Sequence, residues 1–270
     1  MTWVPPGPAW LFCPADRPDR FAKAAAAADM VILDLEDGVG AADKATARQS
    51  LQRQLLDPAR TLVRINAVGT ADHALDLEAL GSTPYGLVML SKTESAEQVA
   101  SLSPLQVVAL CETPTGVLEA VSVAACPVTA AVMWGAEDLV AALGGRSSRH
   151  ADGSYRDVAR HARAQILLAA GSQGKPAVDA VHLDIGDLDG LRQEAIDGAA
   201  SGFAATACIH PSQIVVVRQS YRPTDDELAW ARRVIAAAAG SAGVFSYEGR
   251  MVDAPVLRHA QHILDRSGDH

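Results

Sequence analysis

The chain has 270 residues and a formal net charge of -9, with 49% hydrophobic residues and 4% aromatic. That acidic balance excludes a general affinity for nucleic acid or anionic membrane, both of which require a basic surface. No apolar stretch approaches the roughly 18 uncharged residues of a spanning helix, and the opening MTWVPPGPAW lacks the basic start and apolar middle of a signal peptide, so a cytoplasmic protein is expected.

From the N-terminus onward, short apolar runs alternate with helical stretches, the pattern of a parallel sheet with helices outside it. The runs are AWLFCP (9–14), MVILDLED (30–37), TLVRIN (61–66), GLVMLSK (86–92), QVVALCE (106–112), AAVMWGAED (130–138), AVDAVHLD (177–184) and ATACIHP (205–211). Helices are predicted at 17–28, 43–56, 70–80, 94–102, 114–125, 153–172, 188–201 and 211–220. Within 157–171, Val158, Ala162, Ile166 and Ala169 fall on one stripe, as a helix lying on a barrel requires. Thr113 before Pro114 reads as an N-cap followed by proline at the first helical position, and TDDE (224–227) as a capping box opening a ninth helix. A Gly-rich joint (240–250) and a last helix from about 253 complete the chain.

Eight strand and helix units predict a (β/α)8 TIM barrel over 1–222, a size suited to a fold of about 250 residues. The C-terminal helical extension, 223–270, is then free to cover the barrel mouth or reach a neighbouring subunit. Cys13, Cys111, Cys126 and Cys208 form no C-x-x-C pair and read as buried reduced thiols.

A barrel of this kind gathers its chemistry at the C-terminal ends of its strands. Those ends carry Cys13, Glu36 and Asp37, Arg64 and Asn66, Lys92, Glu112, Glu137 and Asp138, Asp184 and His210, so all are expected to ring one mouth. The run VILDLEDG (31–38) closes on Asp34, Glu36 and Asp37, and crowded carboxylates repel one another unless a cation, donors or water hold them. Glu112 and Asp138 end neighbouring strands, and two carboxylates that leave positions to water and substrate suit Mg2+ better than zinc. The plainer alternative is that each caps the helix after it.

Glu36 and Asp37 are then expected to hold the waters around such an ion. Strand alternation puts Asp34 and Glu36 on one face and Asp37 on the other, so one or two of these acids are structural, paired with Lys44 or Arg48. Arg64 is suited to a bidentate grip on a carboxylate or enolate oxygen, or equally to an ion pair with Glu36 or Asp37. Lys92 offers either a Schiff-base amine or an ion pair. His210, beside Pro211, reads as part of a fixed turn, His259 and His262 as a solvated helix face, and LGGRSSR (143–149) as a surface loop.

LFCPADRPDRFAKA, VILDLEDGV with ADKATAR after it, VRIN, CETPTGV, WGAEDL, IHPSQI and EGRMVDAPV follow one another in the order seen in the citrate lyase β-subunit-like proteins of the HpcH/HpaI aldolase superfamily. From about residue 10 to 264 the chain resembles that family. The resemblance implies a Mg2+-dependent barrel enzyme that cleaves or forms a carbon-carbon bond in short acyl thioesters such as citryl-, malyl- or citramalyl-CoA. It implies Glu112 and Asp138 as metal ligands, Arg64 as the cation that orients substrate, and Gly135, Ala136 and Glu137 as a backbone cradle for the oxo-acid carboxylate. Phe12, Lys23, Lys44 and Arg48 match positions that meet CoA. Asp253 in MVDAPV resembles the catalytic carboxylate, which related lyases deliver from an adjacent subunit, so a homo-oligomer, a trimer or a multiple of it, is expected.

The same family includes a carrier-dependent β subunit acting on an acyl-carrier-protein thioester, and members with thioesterase or malate-synthase-like activity. CPA stands at 13–15 where VPG is usual, and LSK at 90–92 where LPK is usual, both beside the mouth.

Overall fold

A computed structural model describes residues 3–239 and 243–266. The chain forms two compact units, Met1–Arg218 and Gln219–His270, a division just ahead of the boundary expected after residue 222. In the first unit eight parallel strands close into a barrel in sequence order: β1 Ala9–Pro14, β2 Met30–Asp34, β3 Thr61–Ile65, β4 Leu87–Leu90, β5 Gln106–Cys111, β6 Thr129–Trp134, β7 Ala177–Asp179 and β8 Ala205–Cys208. Closure is made by Trp10, which pairs with Met30 on one side and Ala207 on the other. This is a (β/α)8 barrel.

The strands read as unbroken apolar runs because both of their faces are buried, one in the barrel and one under helices. Trp10, Ile32, Leu62, Met89, Val108, Leu110, Met133 and Val178 belong to the main core cluster. Full burial of each large apolar side chain stabilises the fold by about 1.5–3 kcal/mol. Around the strands lie α1 Phe21–Ala27, α2 Lys44–Arg53, α3 Ala71–Leu80, α4 Ala96–Ala100, α5 Pro114–Leu118, α6 Ala120–Ala125, α7 Ala136–Ala142, α8 Asp157–Ser172, α9 Leu188–Ser201 and α10 Pro211–Tyr221. Helix α8 buries Ala159, Ala162, Ile166 and Ala169, whereas Val158, expected on that stripe, is 44% exposed.

Three departures from the sequence reading have local causes. The helix expected over 114–125 is split into α5 and α6 at Glu119, whose ψ of 5° breaks the first segment. Strand β7 stops at Asp179 because that side chain accepts a hydrogen bond from the Ala180 N-H at 3.0 Å, so 180–184 leave the sheet. Glu137 and Asp138 lie in the first turn of α7, beyond the end of β6.

The second unit contains α11 Asp225–Ala238 and α12 Ala254–Asp265, with Ala231, Val234, Val252, Ala260 and Ile263 in a core of its own. The capping box opens α11: Thr224 Oγ1 accepts from the Glu227 N-H at 3.2 Å and Glu227 Oε2 accepts from the Thr224 N-H at 2.7 Å. Residues 240–242 of the expected joint lie outside the described residues. The rest forms a hairpin, β9 Phe245–Tyr247 with β10 Arg250–Val252, turned by Glu248 and Gly249 at φ of 49° and 75°. Positive φ at both central positions matches the right-handed twist of the strands. Among the described residues no helix is long and apolar enough to cross a membrane.

Candidate active site

Strands β2 and β3 are in parallel register, with Asp34 beside Arg64 at their C-terminal ends. Each follows by two residues a side chain of the main core cluster, Ile32 and Leu62, so the strand period aims Asp34 and Arg64 to the same side. Arg64 Nε donates to Asp34 Oδ1 at 2.7 Å and Nη2 to Oδ2 at 2.6 Å, while Nη1 stands 3.1 Å from Glu36 Oε2. The guanidinium lies 4.8 Å over the Phe12 ring. Burial works against its charge, yet Asp34, with Glu36 and Glu112, holds it protonated above the usual arginine range.

Asp34 also builds the turn after β2. Its Oδ1 accepts from the Glu36 N-H and its Oδ2 from the Gly38 N-H, both at 2.9 Å. A Cβ on Gly38 would stand 2.3 Å from Asp34 Oδ2, so only a bare Cα admits this closure. The pairing of one or two of the acids Asp34, Glu36 and Asp37 with Lys44 or Arg48 expected from the sequence does not form. Lys44 Nζ donates instead to the Leu35 and Glu36 carbonyls at 2.8 and 3.1 Å and to Asn66 Oδ1 at 2.9 Å. Arg48 Nε donates to the fully buried Asp76 at 2.7 Å, and its Nη2 contacts Asp72.

The remaining acids gather around Lys92. Its Nζ contacts Glu36 Oε1 and lies 3.3 Å from Asp37 Oδ2 and 3.5 Å from Asp138 Oδ1. Its backbone N-H donates to Glu112 Oε1 at 3.1 Å from a left-handed conformation, φ 49°. Burial opposes the ammonium charge, but Glu36, Glu112 and Asp138 hold Lys92 protonated above its ordinary range. A protonated amine lacks the lone pair that Schiff-base formation needs.

Glu112 ends the β5 run and is 3% exposed. Burial first, then the nearby Asp138 charge, pushes its carboxyl up from 4.5 to about 8, against the pull of Arg64 and Lys92. Burial likewise raises Glu36, opposed by Arg64 and Lys92. Asp37 is more exposed, and although burial acts to raise it, Lys92 brings its carboxyl below the ordinary value. Helix capping does not explain Glu112, because the N-cap of α5 is Thr113, whose Oγ1 accepts from the Gly116 N-H at 3.0 Å. Gly135 is the N-cap of α7 without a side-chain cap, and a Cβ there would stand 2.8 Å from Glu112 Oε2. Among the described residues no group of three or more His, Cys, Asp and Glu side chains is placed to hold a metal ion. Glu112 and Asp138 would leave the other positions around a hard cation to water or substrate.

Other expected mouth residues lie elsewhere or serve the fold. Asp184 sits in an exposed loop beyond β7 and accepts from the Gly186 N-H at 2.9 Å. His210 Nδ1 pairs with Ser212 Oγ at 2.8 Å in the turn opening α10. Glu137 Oε1 accepts from Ser148 Oγ at 2.6 Å, leaving Gly135, Ala136 and Glu137 as a short run of backbone at the α7 terminus. Lys23 is exposed on α1. Asp253, in the second unit, is the N-cap of α12, its Oδ1 accepting from the Val256 N-H at 3.2 Å. All four cysteines are free and buried; burial pushes the Cys13 thiol up to about 11 and those of Cys111 and Cys208 up to about 12, which makes them inert.

A second polar network escaped the sequence reading. Asp179 Oδ1 accepts from Trp134 Nε1 at 2.7 Å and its Oδ2 from Arg163 Nη2 at 2.7 Å. Nearby, Arg149 and His182 both meet Glu194 beside a cavity of about 750 Å3 lined by the loops 147–155 and 182–187 together with α8 and α9. The available signal was a carboxylate inside the apolar run AVDAV.

Fold and mouth together define a (β/α)8-barrel protein whose rim sets five carboxylates against a lysine and a clamped arginine. Residues 9–211 match the HpcH/HpaI aldolase/citrate lyase family, and the chain belongs to that family. It is 63% identical over 263 residues to a citrate lyase subunit beta-like protein of Mycobacterium tuberculosis, covering 97% of this chain and 96% of that one. The crystal structure of protein CitE from the same organism, in complex with magnesium, acetoacetate and coenzyme A, aligns at a TM-score of 0.94 with 63% identity, covering 97% of this chain and 98% of its counterpart. The mitochondrial citramalyl-CoA lyase of Homo sapiens is 32% identical over 272 residues, covering 87% of this chain and 78% of the human one.

Proposed function

We propose that this protein is a Mg2+-dependent carbon-carbon lyase that cleaves a short 3-hydroxyacyl-CoA thioester, such as citramalyl- or malyl-CoA, into acetyl-CoA or another acyl-CoA and an oxo acid, reversibly. The observation that carries it is Glu112, a buried carboxylate lifted to about 8 by burial and by Asp138. Two hard-oxygen donors that penalise each other's charge fit a divalent cation, which turns that penalty into attraction. The ligands named for the M. tuberculosis relative, magnesium with acetoacetate and coenzyme A, have the character of the metal and the two halves of such a substrate.

On this reading Glu112 and Asp138 hold Mg2+, with Glu36 and Asp37 ordering water beside it. When bound, the ion supplies Lewis-acid polarisation of the oxo-acid oxygen. Arg64, immobilised by Asp34 and by the face of Phe12, is a fixed positive charge against which the oxo-acid carboxylate orients. Gly135, Ala136 and Glu137 offer N-H groups of the first turn of α7 to the same carboxylate. The hydroxyl on the carbon being cut gives up its proton and becomes the oxo acid's carbonyl while the carbon-carbon bonding pair leaves on the thioester carbon and oxygen, where each oriented donor contributes about 3–4 kcal/mol.

Asp253 passes a proton to the acetyl carbon, in an oligomer built as a trimer or a multiple of it. Phe12, Lys23, Lys44 and Arg48 face the CoA moiety; the head of Lys44 also holds the segment after β2, and that of Arg48 pairs with Asp72 and Asp76 of α3.

The test is a panel of 3-hydroxydicarboxylyl-CoA esters given to the purified protein with Mg2+, reading acetyl-CoA release. At least one ester is cleaved, a chelator abolishes the reaction, and added Mg2+ restores it. Cleavage that survives chelation and is trapped by borohydride overturns the reading in favour of a Lys92 Schiff base. Release of free CoA alone makes the protein a thioesterase, and cleavage confined to an acyl-carrier-protein thioester makes it a carrier-dependent subunit.

A further inference from the structure

Lys92 stands at the centre of the rim with its charge unused by the chemistry above. Five carboxylates meet there, Asp34, Glu36, Asp37, Glu112 and Asp138, against two cations, Arg64 and Lys92. Arg64 is taken up by Asp34 through two hydrogen bonds and shares Glu36. The ammonium of Lys92 is therefore the counter-ion of Glu36, Asp37 and Asp138.

Its backbone does a second job. At φ 49° a side-chain-bearing residue sits in a sparsely populated region, and the turn aims its N-H at Glu112 Oε1, 3.1 Å away. One residue thus touches both proposed metal ligands, Glu112 through its main chain and Asp138 through its ammonium.

We propose that Lys92 is a positioning residue whose tethered ammonium competes with Mg2+ for the rim carboxylates, balancing the acids when the ion is away and weakening its hold when it is present. The inference rests on the proposed function for the metal site and adds the residue that sets its affinity. Like charges confined near shared carboxylates repel at close range, so a neutral side chain at this position strengthens cation binding. The backbone N-H to Glu112 is kept by any substitution other than proline.

Mg2+ titration calorimetry on the wild-type protein, Lys92→Met, Lys92→Arg and Glu112→Gln tests it. The expected result is a Kd for Mg2+ about tenfold lower in Lys92→Met, equivalent to about 1.4 kcal/mol, with Lys92→Arg within about threefold of wild type. The metal-free Lys92→Met protein melts below wild type, because its acids have lost their counter-ion. Should Lys92→Met fail to fold, Lys92→Gln carries the same expectation. Wild-type binding that depends on Glu112 but is unchanged or weaker in Lys92→Met overturns this inference alone. Wild-type binding that is absent, or indifferent to Glu112→Gln, sinks the proposed metal site and this inference with it.

Discussion

Arg64 and Asp34 meet through two hydrogen bonds, Nε to Oδ1 at 2.7 Å and Nη2 to Oδ2 at 2.6 Å, with their side chains 11% and 3% exposed. A bidentate pair in this setting fixes the guanidinium in direction as well as position. Removing one partner of a buried pair leaves the other charge uncompensated and costs about 3–5 kcal/mol, whereas removing both costs less. Asp34→Ala is therefore expected to lower stability by about that amount, and Asp34→Ala with Arg64→Met to recover part of it. Urea unfolding of the singles and the double checks this; a double less stable than either single contradicts the account.

Gly135 and Gly171 make a matched pair of alanine substitutions. A Cβ on Gly135 would stand 2.8 Å from Glu112 Oε2 and 2.9 Å from Glu112 Cβ, the latter too near the main chain to swing aside. The Gly135 backbone, φ -131° and ψ 125°, suits any residue, so the penalty is steric, about 1–3 kcal/mol, and displaces Glu112. Gly171 lies inside α8 with nothing within 4 Å of the added carbon, and alanine there gains about 0.5–1 kcal/mol of helix propensity. Gly135→Ala should lose turnover and melt lower; Gly171→Ala should keep turnover and melt higher. Thermal melts and acetyl-CoA release read both.

The barrel was legible because eight strands buried on both faces print continuous apolar runs. Glu112 and Lys92 were legible as residues just past strand ends for the same reason, whereas Asp138, read as ending a strand, stands in the first turn of α7. Of the partners of Arg64, Glu36 was named and pairs with it at 3.1 Å, but Asp34 was missed, because which acid faces it depends on the register between β2 and β3, and alternation along one strand carries no information about its neighbour. Asp179 was read as an ordinary member of a long strand, although its side chain bonds to the next backbone N-H and ends β7. The left-handed turn at Lys92 left no mark either, since glycine or asparagine is the usual signal for that conformation. The dipeptide Glu248-Gly249, by contrast, was a turn signal inside a stretch taken for a joint, and the hairpin of β9 and β10 is built on it.

Glu112 gives the metal-free protein a pH signature. Burial and Asp138 lift its carboxyl from 4.5 to about 8, so between those values the folded chain keeps a proton that the unfolded chain has released. The unfolded state then binds fewer protons, and this group's contribution falls as pH rises through the window, by up to about 1.4 kcal/mol per pH unit. Below the window both states are protonated and above it both are ionised, so the slope vanishes at either end. Unfolding in urea with a chelator present, from about pH 5 to about pH 8, should show a decline in the wild type that Glu112→Gln flattens. Equal slopes in the two proteins would count against the burial of a titrating Glu112.

Asp253 has a structural duty that must be separated from the proposed chemistry. Its Oδ1 caps α12 by accepting from the Val256 N-H at 3.2 Å, and an alanine there loses the cap, at a cost of about 1 kcal/mol. Asp253→Ala consequently confounds a loosened second unit with a missing proton donor. Asparagine caps a helix about as well as aspartate but cannot exchange a proton with carbon. Asp253→Asn should melt within about 0.5 kcal/mol of wild type, bind the CoA thioester as tightly, and turn it over about 100- to 10,000-fold more slowly. Asp253→Ala should show the same loss of turnover with a lower melting temperature. If Asp253→Asn cleaves thioesters at the wild-type rate, Asp253 is a helix cap and the proton comes from another residue.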